Sequence, residues 1–148
     1  MIDKIVLASK SGVRKKILEK NKIKCRVEPS NIDEESVKEG LLKKKATPTI
    51  ISKNLAELKA NKISQKFIEE IVLGADSIID LEGEIISKPR NRTEALNILE
   101  KLNGKTHQLV SSVCISRGGS MMWNYTDKAS LTMKLMSDED LRAYLAKI

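Results

Sequence analysis

The stretch that most constrains this chain is its first, Ile5-Val6-Leu7-Ala8-Ser9-Lys10-Ser11-Gly12-Val13-Arg14-Lys15-Lys16. The apolar run reads as a buried strand that stops at two serines flanking a lysine. Val13, Ile17 and Leu18 follow at spacings suited to one face of a helix beginning near Gly12. Ser11 is placed to cap that helix, so the free N–H groups of its first turn point back toward the strand end. The hydroxyls of Ser9 and Ser11 and the cations of Arg14 and Lys15 then converge on one small volume. Such a volume suits an anion, and a phosphate best, because the helix dipole adds to the fixed charges. An ordinary capped strand-to-helix turn with solvated basic residues satisfies the same pattern.

A chain of 148 residues supports one domain with a real core and is too short for two independent ones. No apolar run approaches a membrane span, and the N-terminus lacks the apolar core of an export signal, so the expected compartment is the cytoplasm. Cys25 and Cys114 stand far apart in no metal spacing and read as reduced structural thiols. The net charge of +7 invites a nucleic-acid reading. Against it, the lysines are spread along the whole chain and aromatic residues make up only 3% of it. Phe67, Trp123, Tyr125 and Tyr144 are not interleaved with a basic stripe, and a single-strand platform needs rings for bases to stack on, of which this chain has few. The charge is better suited to attracting a small polyanion such as a nucleotide.

Farther along, Lys24 to Val27 reads as a short strand, and Asp33-Glu34-Glu35 as a polar loop. Its carboxylates are either solvated or able to hold a divalent cation. Thr47-Pro48 starts a helix that ends near Lys66, with Ile51, Leu55, Leu58 and Ile63 on one face. Lys59 stands at the margin of that face, where a lysine is ordinarily solvated. Ile71 to Ile79 reads as an apolar strand carrying one acid, Asp76. An unpaired buried carboxylate is costly. Asp76 therefore either sits at a kink near Gly74 with its head in a cleft or pairs with a cation, and both options favour a site. A turn at Glu82-Gly83 returns Glu84 to Ile86 as a hairpin arm, and Pro89 holds Lys88 in extended geometry. Asn91 and Thr93 open a helix that Asn103-Gly104 stops. Strands are expected from Thr106 to Arg117, from Met121 to Tyr125 and from Lys128 to Met136. His107, the one histidine, has no partner at metal spacing and reads as structural. Ser137-Asp138-Glu139-Asp140 caps a final helix through Tyr144.

Six stretches, taken in order, resemble the Maf family. They are Ala8-Ser9-Lys10-Ser11-Gly12-Val13-Arg14, Asp33-Glu34, Leu55-Ala56-Glu57-Leu58-Lys59-Ala60, Gly74-Ala75-Asp76-Ser77, Lys88-Pro89 and Leu102-Asn103-Gly104-Lys105-Thr106-His107. The resemblance covers essentially the whole chain as a single domain, residues 1–148. It implies an α/β fold like that of the inosine triphosphatases, an elongated mixed β-sheet flanked by helices, with a nucleotide cleft between two lobes. It also implies hydrolysis of nucleoside triphosphates to the monophosphate and pyrophosphate, a divalent metal (Mg or Mn) as cofactor, and homodimerisation in many members. By position, Ser9, Ser11 and Arg14 look like the phosphate-binding loop, with Lys15 beside it. Glu34 and Asp76 match the acids of the metal environment, Asp76 also the general base, and Lys59 and Lys88 the two cleft lysines. Triphosphate cleavage needs these parts: cations for the phosphates, oxygen ligands for a metal and a carboxylate for the attacking water.

Two departures bear on function. Many members have Pro-Arg-Arg after the second serine, the subgroup associated with dTTP and UTP, whereas this chain has Gly12-Val13-Arg14. Val13 and Ser77 thus resemble the branch that acts on 7-methyl-GTP or other modified nucleotides, a housecleaning role. Family chains also continue past the helix matching Leu141 to Tyr144, so a stop at Ile148 implies an incomplete second lobe. The alternative expectation is then a catalytically impaired nucleotide-binding module.

Overall fold

The computed structural model describes residues 4–148. Its elements among the described residues are β1 (Ile5–Leu7), α1 (Gly12–Lys20), β2 (Cys25–Val27), α2 (Glu34–Lys43), α3 (Pro48–Ser64), β3 (Val72–Leu81), β4 (Glu84–Ile86), α4 (Arg92–Leu102), β5 (Thr106–Arg117), β6 (Ser120–Thr132) and α5 (Asp138–Ala146). They form a mixed α/β fold in which the five helices flank a six-stranded sheet of strand order β2-β1-β3-β5-β6, with β4 paired to β3. The chain divides into two compact units, residues 4–77 with 111–127 and residues 78–110 with 128–148. No helix among the described residues is long and apolar enough to cross a membrane.

In the first unit β1 pairs in parallel with β2 on one side and β3 on the other, with Leu7 opposite Val27 and Leu73. Parallel neighbours require crossover connections, which α1 supplies to β2, and α2 with α3 to β3. Because the chain leaves β1 in one direction and later crosses to its other side, the order reverses at β1. Alternate β3 residues share a face, and Val72, Gly74 and Asp76 all meet α3. A Cβ on Gly74 would stand 2.4 Å from the Ala56 carbonyl oxygen and 2.8 Å from the Ala60 nitrogen, so only glycine lets the helix come this close. The core there joins Val6, Ala8, Ala56, Ala60, Ile63, Val72 and Cys114. Buried hydroxyls on β5 are satisfied: Ser116 donates to Asn61 Oδ1 at 2.5 Å, and Ser112 meets Thr126 at 2.8 Å. Cys25 and Cys114 are free thiols, and burial pushes that of Cys114 up.

The second unit is built on Leu81, Ile86 and Leu102, with Ile79, Ile98 and Met133 against them. Glu82 and Gly83 both take positive φ, 51° and 92°, which joins antiparallel β3 and β4 by a tight turn whose twist suits the strands. Arg92 donates to the carbonyls of Leu145 at 2.6 Å and Ile148 at 2.7 Å, tying α4 to the end of α5.

Three sequence expectations are corrected. Asp33-Glu34-Glu35 is not a loop. Asp33 accepts from Ser36 N at 3.1 Å as an N-cap, and both glutamates lie in the first turn of α2, where the helix dipole favours them. Met121 to Tyr125 and Lys128 to Met136 are not two strands, because β6 runs unbroken from Ser120 to Thr132. Val13 and Ile17 form no buried face on α1, and no residue of that helix is buried.

Candidate active site

The first unit holds two constellations. The first lies just beyond β1, at the carboxyl end of the strand where the sheet order reverses, the place where open α/β sheets take ligands. Ser9 is buried there, and its Oγ accepts from Ser11 N at 3.1 Å and from Arg14 Nη1 at 3.0 Å. Ser11 caps α1 by accepting from Arg14 N at 3.3 Å, with its backbone extended at φ −71°. One hydroxyl thus ties the loop to a guanidinium at the head of a helix, where first-turn N–H groups lack intrahelical partners. Fixed donors and a held cation make an anion seat.

The second constellation joins α2, α3 and β3. Lys59 and Asp76 are each only 8% exposed. Lys59 Nζ donates to Asp76 Oδ1 and to the Ala75 carbonyl, both at 3.2 Å, and also pairs with Glu34 Oε1. The lysine is seated by the close approach of α3 at Gly74, and Glu34 is presented by the capped first turn of α2. Ser52 Oγ, fully buried on α3, donates to the Asp76 carbonyl at 3.3 Å and fixes the strand at this point. Oδ2 of Asp76 is buried and has no hydrogen-bond partner. Burial pushes the Asp76 carboxyl above its ordinary value; the charge and hydrogen bond of Lys59 and the charge of Lys38 pull it back, while Glu34 adds to the rise. The arrangement can hold a carboxylate ready to accept a proton, beside a cation that balances it.

The structure therefore brings together Ser9, Ser11 and Arg14, and separately Glu34, Lys59 and Asp76. The side chains of Lys15, Val13 and Ser77 join neither set. Lys15 pairs with Glu19 at 3.7 Å along α1, and Val13 is 68% exposed. Ser77 follows Asp76 on the strand and so turns to the opposite face, where its Oγ meets that of Ser111 at 3.0 Å. Lys88 belongs to the second unit, exposed between β4 and α4. Ser52 and Lys38 escaped the sequence reading. Ser52 was legible only as a polar break in an apolar helical face, and Lys38 only once α2 is known to be a helix.

A divalent metal fits the carboxylate pair in a limited sense. Among the described residues no group of three or more His, Cys, Asp or Glu forms a cage. Asp76 and Glu34, both against Lys59, nonetheless supply the one or two carboxylates by which magnesium is usually held together with substrate phosphates.

Comparison with known proteins gives concordant findings. A family model described as Maf-like protein matches residues 4–148. A Pelagibacter ubique protein named nucleoside triphosphate pyrophosphatase is 78% identical over 148 residues, all of this chain and 76% of its own length. A Rhizobium etli protein named 7-methyl-GTP pyrophosphatase is 32% identical over the same 148 residues, 74% of its length. In structure, a HAM1 protein from Coxiella burnetii superposes with a TM-score of 0.55 at 14% identity, covering 88% of this chain and 71% of that one, and so shares its fold.

Proposed function

The chain belongs to the Maf family, and from that premise we propose that it cleaves nucleoside triphosphates to the monophosphate and pyrophosphate. The relatives named for this activity support the reading. The observation that carries it is the buried Lys59–Asp76 pair with its orphaned carboxylate oxygen, in the same unit as the Ser9–Arg14 anion seat.

In this mechanism Arg14, Ser9 and the first-turn N–H groups of α1 hold phosphate oxygens, with Lys15 as a further cation. Asp76 orients the attacking water through Oδ2 and takes its proton as the water adds to the α-phosphorus. The α–β anhydride bond then breaks, and pyrophosphate leaves with the bonding electrons. Lys59 holds the Asp76 carboxyl ionised and oriented through Oδ1. Glu34 and Asp76 would hold a magnesium or manganese ion, which when bound neutralises charge developing on the phosphates. Val13 and Ser77 bias the choice of base toward 7-methyl-GTP over dTTP and UTP. On this reading the protein is a cytoplasmic housecleaning enzyme that acts on free nucleotides rather than nucleic acid and works as a homodimer.

The test is pyrophosphate release with magnesium or manganese across 7-methyl-GTP, dTTP, UTP and inosine triphosphate. Release is expected, with 7-methyl-GTP preferred. Retained nucleotide binding with no release from any of them would overturn the enzyme reading and leave a binding module.

A further inference from the structure

Resting on the pyrophosphatase reading, we propose that Glu34 is a place-holder for a substrate phosphate oxygen: it engages a donor of Lys59 that the incoming nucleotide takes over. An ammonium group has three N–H bonds and no more to give. Lys59 Nζ meets three acceptors, the Ala75 carbonyl and Asp76 Oδ1, each at 3.2 Å, and Glu34 Oε1. Every donor of this buried lysine is therefore engaged within the protein. Lys59 reaches a phosphate only if one of the three acceptors lets go.

The three differ in how freely they can leave. The Ala75 carbonyl belongs to the backbone of β3 and is fixed with the strand. The Asp76 side chain is 11% exposed, and a carboxylate buried that far is stranded without its cation. The Glu34 side chain is 41% exposed and stands in the first turn of α2, so it reaches water by side-chain rotation alone. There the N-terminal dipole of α2 still stabilises its charge. A pair with one partner this exposed is screened and gives way at modest cost. A phosphate oxygen is a charged acceptor of the same kind, so it replaces the carboxylate with all three ammonium donors satisfied. Lys59 stays on β3 throughout and keeps its hold on Asp76. The released Glu34 is a carboxylate already assigned to the divalent cation, so no charge is stranded. The exchange lets one lysine serve both the base and the substrate.

The experiment measures the Kd of a nucleoside triphosphate with a methylene bridge between its α- and β-phosphorus atoms, in chelator without divalent cation. Glu34→Ala is expected to bind it about fivefold or more tightly than the parent, because Lys59 no longer has to be won from the carboxylate. Removing a negative charge also helps an anion by itself. The same substitution is therefore made in Lys59→Met, where the gain should shrink below about twofold. Glu35→Gln removes a charge from the same turn without touching Lys59 and should stay within about twofold of the parent. It serves as the sole control if Lys59→Met does not fold. Parental Kd in Glu34→Ala overturns the proposal, and so does a gain that persists in Lys59→Met or is matched by Glu35→Gln. A parent that binds the analogue but releases no pyrophosphate from nucleotides under magnesium fails the enzyme reading alone, the exchange being read from Kd. No binding by either the parent or Glu34→Ala overturns both.

Discussion

Lys59 Nζ donates to Oδ1 of Asp76 at 3.2 Å, while Oδ2 of the same carboxyl is buried without a hydrogen-bond partner. One oxygen is held and the other is available, the asymmetry a general base requires. Asp76→Asn keeps the shape and the Lys59 contact but cannot take a proton. Turnover should fall by about 10²–10⁴-fold, with analogue affinity little changed. Parental kcat in this variant would remove Asp76 from the role.

The same group sets a pH dependence of stability. Its folded-state proton affinity is raised above the ordinary value of 3.8, chiefly by burial. The folded chain therefore binds this proton more tightly than the unfolded one. Its contribution to stability is complete below the ordinary value and is lost as pH rises through the folded value. Thermal unfolding of Asp76→Asn should thus gain on the parent as pH rises above the ordinary carboxylate value of 3.8. A difference that shrinks over that range would contradict the burial argument.

Gly74→Ala places a methyl group 2.4 Å from a backbone oxygen that cannot rotate away. The expected loss is about 1–3 kcal/mol or more, seen as a lower denaturant midpoint. Because α3 must retreat from β3, Lys59 also leaves Asp76, and kcat should fall in the folded fraction.

Ser9 and Ser11 separate by role. Ser9→Ala frees the Arg14 guanidinium and removes a bond to a charged donor, of a kind worth about 1.5–3 kcal/mol. It should raise the KM for nucleotide markedly. Ser11→Ala deletes a helix cap, at about 0.5–2 kcal/mol, and should lower the unfolding temperature with a smaller effect on KM.

Val13→Arg tests base choice without touching the fold, since the side chain is 68% exposed. Stability should stay within about 0.5 kcal/mol. The ratio of kcat/KM for dTTP or UTP over 7-methyl-GTP should rise. An unchanged ratio would sink Val13 as a specificity residue.

Local signals carried the reading of the fold where they were strong. The Ser11 cap, the Thr47-Pro48 helix start, the Glu82-Gly83 turn and the Asn91 cap are each visible in a few residues, and each element stands where its signal lies. α2 was missed because Val37 and Leu41 give too sparse a stripe, which Gly40 and the lysine run after Leu42 dilute further. β6 looked like two strands because its outward residues break the alternation, while its pairing with β5 holds it together. For the site, the carboxylate inside an apolar strand pointed to Asp76 having a partner, and one of the two options weighed, a cation, is what the structure holds. That the cation is Lys59 depends on the packing of Gly74 against Ala56 and Ala60, a contact that joins residues too far apart in sequence for local pattern to reveal.

The edge strand β6 has a consequence of another kind. The one tryptophan of the chain, Trp123, lies on it half exposed, its ring stacked 6.1 Å from that of Tyr125. An indole already in water gains little further solvent when the chain unfolds. The colour of its emission will barely move across the transition, so this protein melts almost unseen by tryptophan wavelength. Changes in its stability show instead in the backbone signal and in heat, the probes that follow β1, β3 and the helices packed on them.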